Sequence, residues 1–235
     1  MYTNKPEIRI QHSFLHRLEK KVLIWLAERV PRCINSDHLT IIGFIGAIIS
    51  CLGYILTNLD FIYLWMASFG LVVNWVGDSL DGTLARVRNA QRPIYGFFFD
   101  HNIDALTILV VCIGVGLSPL VSFSIAMLIL AGYLLLSIFS YINTYLKGEF
   151  RITYMNLGPT EFRIIAIITN TALIYLPIKN MTLDLIGFSI GIIDAVCIVI
   201  AIILILIYLY SFIANIRMYG RIDPPHHYYT KNSSS

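Results

Sequence analysis

The side chains best suited to chemistry lie between residues 78 and 104, where four aspartates form two pairs. Asp78 and Asp81 are spaced i, i+3, and Asp100 and Asp104 are spaced i, i+4. On helices, each of these spacings projects both carboxylates of a pair from one face. Carboxylate oxygens are the ligands that hard cations such as Mg²⁺ and Mn²⁺ prefer. The stretch therefore predicts a divalent-metal site.

The number of carboxylates predicts two ions in that site. Four ionised aspartates carry a charge of −4, which two divalent cations would neutralise. Charged side chains in a membrane helix cost roughly 2.5–3.5 kcal/mol each on an insertion scale, so neutralisation would remove a large penalty. Two metal ions held close together are also a common device for displacement at phosphorus, where one serves the attacking oxygen and one the leaving oxygen.

Small residues and one arginine accompany the aspartates. Gly82 and Ala85 would let an anionic ligand approach the helix backbone, because they carry little or no side chain. Arg86 could hold a phosphate through its planar guanidinium. Gly96 lies one helical turn before Asp100, on the aspartate face of the next helix. Taken singly, Gly and Ala in a membrane helix are more often packing residues, and an aspartate pair could be a structural hydrogen-bonding pair or part of a proton or cation pathway. All eight positions together favour a binding site.

The elements that must position these residues are membrane helices. Of the 235 residues, 57% are hydrophobic and only 13% are charged, and the mean hydropathy is +0.73. This composition is typical of a polytopic membrane protein. Six apolar segments each approach or exceed the ~20 residues that a spanning helix needs. They are residues 39–57, 61–83, 97–117, 120–146, 161–178 and 186–214.

A basic amphipathic helix is predicted at residues 13–30. Apolar residues such as Leu18 and Trp25 recur on one stripe, while Lys20 and Lys21 lie elsewhere on the helical wheel. Because a membrane span follows closely, a helix in the headgroup plane is favoured over a soluble partner helix. The predicted fold is therefore all-α, with six transmembrane helices preceded by an interfacial helix. Its parts are an N-terminal segment (1–38), a transmembrane catalytic domain (39–218) and a C-terminal cytoplasmic tail (219–235).

The positive charges predict the orientation of the spans. Of 17 Lys and Arg residues, only Lys179 falls on the far side in this arrangement. The positive-inside rule then places both termini and the aspartates on the cytoplasmic side, at the inner membrane if the cell is prokaryotic. Asp194 falls on the opposite side and is interpreted as structural or interfacial.

The eight positions resemble a known signature. Their pattern, D-x2-D-G-x2-A-R-x9-G-x3-D-x3-D, is similar to that of the CDP-alcohol phosphotransferases, integral membrane enzymes that make phospholipid headgroup linkages. All eight defined positions match, although the spacer between Arg86 and Gly96 is one residue longer than usual in the family. This difference affects the path of a loop and leaves both carboxylate pairs intact. Segments 35–40 and 158–163, which enter the first and fifth spans, are weaker similarities.

The resemblance implies transfer of a substituted phosphate from a CDP-alcohol to the hydroxyl of a second alcohol, with release of CMP. It implies that Asp78, Asp81 and Asp100 are metal ligands, and that Asp104 is a metal-associated carboxylate and the general base for the acceptor hydroxyl. Contacts to the CDP moiety are implied for Gly82, Ala85, Arg86 and Gly96. The implied partners are both alcohols, the lipid bilayer and a second copy of the chain as a homodimer, with no nucleic acid.

The two alcohols remain open from the sequence. Asp100-His101-x2-Asp104 resembles the motif of choline- and ethanolamine-phosphotransferases, with His101 interpreted as a neighbour of the site. Three basic residues at the predicted cytoplasmic mouth would instead suit an anionic acceptor such as glycerol phosphate or an inositol phosphate. These residues are Lys147, Arg151 and Arg163. Ordinary positive-inside charge explains them equally well.

Two other functions account for parts of the pattern. An intramembrane prenyltransferase also binds a diphosphate through aspartate-rich helices and Mg²⁺, and Asn74-x3-Asp78 is similar to its motif. Such enzymes have more spans and leave residues 82–86 unexplained. A divalent-cation transporter would need a polar path across the membrane, but residues 105–111 carry a single hydroxyl, that of Thr107.

Overall fold

The structure, a computed structural model, describes residues 8–10, 16–147, 149–151, 159–176, 182–185 and 188–224. Within these ranges the chain is almost entirely helical. The helices are α1 (His16–Ala27), α2 (Ser36–Leu56), α3 (Leu64–Val87, after a 3-10 turn at Phe61–Tyr63), α4 (Pro93–Gly116), α5 (Phe123–Lys147), α6 (Pro159–Tyr175) and α7 (Ile192–Ile222). Short strands β1 (Ile8–Ile10) and β2 (Glu149–Arg151) pair in parallel, and β3 (Thr182–Leu185) and β4 (Phe188–Gly191) pair antiparallel.

Five of the described helices are long and apolar enough to cross a membrane, namely α2, α3, α4, α5 and α7. Their exposed apolar side chains identify the protein as an integral membrane protein of helical fold. Helix α6 has 17 residues and is shorter than the other five. Five of the six predicted spans thus coincide with helices that are long and apolar enough to cross a membrane, and the total of six spans remains a prediction.

The last predicted span, 186–214, is wrong at both ends. Residues 188–191 belong to strand β4, and Gly191 has an extended backbone with φ −57° and ψ 140°, so the helix begins only at Ile192. Helix α7 then continues to Ile222. Similarly, α1 ends at Ala27 rather than residue 30, and residues 13–15 lie outside the described part of the chain.

Helices α2 and α3 pack with their backbones in contact. A methyl group at Gly46 would lie 2.7 Å from the Gly70 carbonyl oxygen, and one at Gly53 would lie 2.8 Å from Ala67 Cα. Ser50 Oγ donates a hydrogen bond to the Ala67 carbonyl across the same contact, at 2.7 Å. Small residues allow this close approach, which favours helix association within a membrane. The pairing fixes the register of α3, which carries Asp78 and Asp81, against α2.

Helix α2 also packs against α4, so it joins the two helices that carry the aspartates. Near the start of α4, Arg88 donates to the Val30 carbonyl at 2.7 Å. Arg92 forms an ion pair with Asp37 and lies over the Tyr95 ring, 4.0 Å from its centroid. These contacts connect the α3–α4 loop to the segment before α2 and to the first turn of α2. The first turn of α4 is therefore held in place from two sides.

Asp194 lies at the other end of the helices. The backbone N–H and hydroxyl of Ser122 donate to its two carboxylate oxygens, at 2.8 and 2.7 Å. Ser122 immediately precedes α5, so Asp194 caps that helix from α7. The structure agrees with the interpretation of Asp194 as a structural residue.

Candidate metal site

Three aspartates from two helices meet in one place. Asp78 of α3 and Asp100 and Asp104 of α4 each offer one carboxylate oxygen, and these oxygens all lie within 4.8 Å of one another. All three side chains are half-buried. Two oxygens bound to the same hard cation at 2.0–2.6 Å can be at most about 4–5 Å apart. The donor set and its spacing therefore fit one divalent ion.

The three carboxylates lie at one depth in the helices. Asp78 is nine residues before the end of α3, and Asp100 is seven residues after the start of α4. At a rise of 1.5 Å per residue, they are about 14 Å and about 11 Å from the loop that joins the helices. Three of the four predicted aspartates are thus brought together at the end of the helices where α2 and α6 begin.

Asp81 is not part of this group. It is buried, and one of its carboxylate oxygens accepts a hydrogen bond from Thr40 Oγ1 at 2.6 Å. Ser36 Oγ donates to the Asp81 backbone carbonyl at 3.1 Å. An i, i+3 spacing turns Asp81 about 60° around α3 from Asp78, which is enough to direct it to α2. The sequence predicted that four carboxylates would meet. In the structure three of them meet, and the fourth accepts a hydrogen bond from Thr40.

Arg163 of α6 contacts the aspartates directly. Its Nη2 lies 2.7 Å from a carboxylate oxygen of Asp78. Its Nη1 is buried and has no hydrogen-bond partner among the residues that the structure describes. The sequence placed Arg163 at the mouth of the site, whereas the structure places it on the carboxylates. Three ionised carboxylates and one guanidinium carry a net charge of −2, which one divalent cation would neutralise.

The side chains of two other residues that were predicted to bind the acceptor alcohol cannot be placed relative to the site. Lys147 ends α5 and Arg151 ends β2, and their side chains lie outside the described part of the structure. Their predicted role is unaffected by the fold and remains a prediction.

The residues predicted to contact CDP follow the aspartates along α3 and precede them on α4. Gly82 and Ala85 are partly exposed, and Arg86 is exposed. Arg86 Nη2 donates to Thr83 Oγ1 at 3.0 Å, which holds its guanidinium near the helix surface. Gly96 is exposed, and a side chain there would meet nothing within 4 Å. The surface beside the carboxylates is therefore open on the side where these residues lie.

A small cavity adjoins the carboxylates between α2, α3 and α4. Besides the three aspartates, its lining contains the polar side chains of Thr40, Asn74 and Thr107. Asn74 Nδ2 donates to the Gly43 carbonyl at 3.0 Å, which ties this lining to the α2–α3 contact. Sequence reasoning missed the contribution of Thr40, which comes from α2. The only signal was the weak family similarity of residues 35–40, which includes Thr40.

His101 is a neighbour of the site, as the sequence indicated. Its ring stacks on Phe97 at 4.1 Å and lies 5.1 Å from Tyr141 of α5. Its Nδ1 is 3.7 Å from a carboxylate oxygen of Asp100. This aromatic contact attaches the turn of α4 that carries Asp100 to α5.

The chain shares limited sequence similarity with a known protein. Over 96 residues it is 31% identical to cholinephosphotransferase 1 of Xenopus laevis. The aligned part covers 38% of this chain and spans about a quarter (24%) of the length of that relative. No protein-family model matches the chain. This similarity gives modest support for a relationship to the CDP-alcohol phosphotransferases.

Replacing Arg163 with Met is expected to tighten Mn²⁺ binding by about tenfold or more. The guanidinium occupies an Asp78 oxygen that the ion would use. A hydrogen bond to a charged group contributes about 1.5–3 kcal/mol, and about 1.4 kcal/mol corresponds to a factor of ten in affinity. Titration of the purified protein with Mn²⁺, followed by electron paramagnetic resonance of the free ion, measures the change.

The matched control for this variant is Arg29→Met. Arg29 is an exposed arginine that stacks on Trp25 of α1, 4.0 Å from the ring centroid. Its removal deletes the same charge away from the carboxylates and should leave the affinity within about twofold. Weaker Mn²⁺ binding by Arg163→Met would contradict competition between the guanidinium and the ion.

Proposed function

We propose that the protein transfers a substituted phosphate from a CDP-alcohol to the hydroxyl of a second alcohol, releasing CMP, in phospholipid synthesis. The observation that carries this proposal is the group of three carboxylates formed by Asp78, Asp100 and Asp104, since it lies within a sequence pattern that resembles the family signature. The partial similarity to a cholinephosphotransferase supports the same reaction class.

Asp78, Asp100 and Asp104 would hold Mg²⁺ or Mn²⁺ in this proposal. A second ion, as the sequence suggests, would recruit Asp81 from its hydrogen bond with Thr40. When bound, such ions neutralise charge on a diphosphate and on the CMP leaving group. Carboxylate oxygens suit either ion, and their half-buried position strengthens the interaction with a cation.

The chain's own residues have distinct roles around the reacting atoms. Asp104 accepts the proton of the acceptor hydroxyl as its oxygen bonds to the β-phosphorus of the donor. The bond between that phosphorus and the oxygen bridging to the α-phosphorus breaks, and CMP leaves with the bridging oxygen. Gly82, Ala85, Arg86 and Gly96 would contact the CDP moiety. Lys147, Arg151 and Arg163 would contact an anionic acceptor.

The proposal also includes the orientation of the site in the membrane, the route of the substrates and the oligomeric state. The carboxylates would face the cytoplasm, as the positive-inside distribution of Lys and Arg predicts. The acceptor or the donor, or both, would reach the site from the bilayer, and the enzyme would act as a homodimer. The exposed apolar surfaces of the spanning helices are compatible with lipid or with a second copy.

The decisive experiment is a screen for CMP release. Purified protein in lipid nanodiscs with Mg²⁺ or Mn²⁺ is expected to release CMP from a CDP-alcohol only when an acceptor is present. CDP-diacylglycerol, CDP-ethanolamine, CDP-choline and CDP-inositol-type donors would be crossed with diacylglycerol, glycerol phosphate, inositol phosphate and inositol as acceptors. Removal of divalent ions with EDTA should stop release, and their return should restore it.

The same preparation tests the competing functions. Liposome uptake of Mn²⁺ that is insensitive to every CDP-alcohol, with no CMP release, would overturn the proposal in favour of a cation transporter. Release of pyrophosphate from a prenyl diphosphate would favour a prenyltransferase. EDTA-treated protein is the negative control for the two release assays, and protein-free liposomes are the negative control for Mn²⁺ uptake.

A further inference from the structure

Glu19 of α1 accepts hydrogen bonds from two other helices. Trp75 Nε1 and Ser79 Oγ of α3 lie 3.0 and 3.4 Å from its Oε1. Thr160 Oγ1 of α6 lies 2.7 Å from the same oxygen. Glu19 is partly buried, and a buried carboxylate is stable only where hydrogen bonds compensate for lost water. Three donors on one oxygen make Glu19 the junction of α1, α3 and α6.

The partners of Glu19 flank the ion pair at the candidate metal site. On α3, Ser79 is the residue after Asp78. On α6, Thr160 is three residues before Arg163, so that both lie on one face of the helix, a single turn apart. The hydrogen bonds of Glu19 and the ion pair between Asp78 and Arg163 therefore close a ring through α3 and α6.

We propose that Glu19 is a positioning residue: it holds the first turn of α6 against α3 and thereby keeps Arg163 on Asp78. The register of α3 is already fixed by its contact with α2, so loss of Glu19 would release α6 in preference to α3. Arg163 would then leave Asp78 more readily, and the carboxylates would be more available to a cation. This inference deepens the proposed function, because it concerns access to the same carboxylates.

The direction in which cation affinity changes after loss of Glu19 distinguishes a positioning role from general structural support. A variant that merely loosens the fold weakens ion binding, since the three carboxylates drift apart. A variant that frees Arg163 strengthens it, since a competitor for Asp78 is lost. Removing the negative charge of Glu19 would by itself weaken cation binding. Tighter binding after loss of Glu19 is therefore a result that only the positioning role produces.

The experiment is a Mn²⁺ titration of the full-length protein in nanodiscs, with Glu19→Ala and Thr160→Val as test variants. Each is expected to bind Mn²⁺ about three- to tenfold more tightly, in line with the loss of the hydrogen bond between Glu19 and Thr160, which both substitutions remove. Glu19→Gln keeps an acceptor oxygen and should stay within about twofold of the wild type. The matched control is Glu28→Ala, which removes an exposed glutamate just after α1.

A double-variant cycle tests whether the effect passes through Arg163. In an Arg163→Met background, Glu19→Ala should cause no further gain in Mn²⁺ affinity. Weaker or unchanged binding in both Glu19→Ala and Thr160→Val would overturn the proposal, as would an equal gain with and without Arg163.

A metal-free measurement decides the same question independently of any ion. The melting temperatures of Glu19→Ala, Arg163→Met and the double variant should show coupling, with the double variant melting no lower than the less stable single variant. Additive shifts would overturn the proposal. Neither measurement uses CMP release, so failure of the proposed transfer reaction would be seen separately from failure of the role of Glu19.

Discussion

Asp104→Asn is expected to lower the rate of CMP release by about 10²–10⁴-fold, the usual contribution of a general base. The substitution keeps the size of the side chain and one oxygen, but an amide cannot take the proton of the acceptor hydroxyl. Asp104 shares its site with Asp78 and Asp100, whose oxygens lie within 4.8 Å of one another and of its own. Binding of the CDP-alcohol should therefore be largely retained in this variant.

The loss should appear in turnover and not in donor affinity. The rate would be measured as CMP release at saturating donor and acceptor, and donor affinity by isothermal titration calorimetry. The matched control is Asp223→Asn, which removes the charge of an exposed aspartate just after α7. Full activity of Asp104→Asn would exclude Asp104 as the base.

Gly77→Leu is expected to prevent α2 and α3 from assembling, and so to abolish the folded protein. Even a methyl group at Gly77 would lie 2.5 Å from both Gly43 Cα and the Leu39 carbonyl oxygen of α2. These are backbone atoms and cannot rotate away, so the helices would have to separate. Separation would remove most of the packing between them, which is a large fraction of a typical total stability of about 5–15 kcal/mol.

The measurement is the yield of monodisperse protein and its thermal unfolding in detergent. Gly77→Ala should show a smaller loss, because only one methyl group must be accommodated. Gly220→Leu on α7 is the matched control, since a side chain there meets nothing within 4 Å and leucine is a better helix former than glycine. A well-folded Gly77→Leu protein would contradict the close α2–α3 contact.

The apolar helices and the three-carboxylate group could be predicted from the sequence because both depend on local patterns. Apolar length identifies a membrane helix, and the spacing of Asp100 and Asp104 determines that they share a helical face. The short loop between α3 and α4 then brings Asp78 to the same end of the helices. Where hydropathy could not distinguish an apolar strand from an apolar helix, as at residues 188–191, the predicted boundary was wrong.

The hydrogen-bond and ion-pair partners of the aspartates could not be predicted from the sequence, because they come from distant parts of the chain. Asp81 and Thr40 are 41 residues apart, and Asp78 and Arg163 are 85 apart. Glu19 and Thr160 are separated by 141 residues. No local periodicity reports which helix packs beside a given face, so the sequence predicts neither the hydrogen bond that Thr40 donates to Asp81 nor the contacts of Glu19, and the metal role of Asp81 remains a prediction. Tertiary packing decides both.

The indole of Trp75 is an intrinsic fluorophore beside the candidate metal site. The chain has three tryptophans, and the other two, Trp25 and Trp65, are 54% and 45% exposed. Changing those two to phenylalanine would leave one fluorophore, located a single helical turn from Asp78 and hydrogen-bonded to Glu19. Indole emission responds to nearby charge and hydrogen bonding. Emission from Trp75 would therefore report a change in the hydrogen bond to Glu19 or in the charge near Asp78, without any attached label.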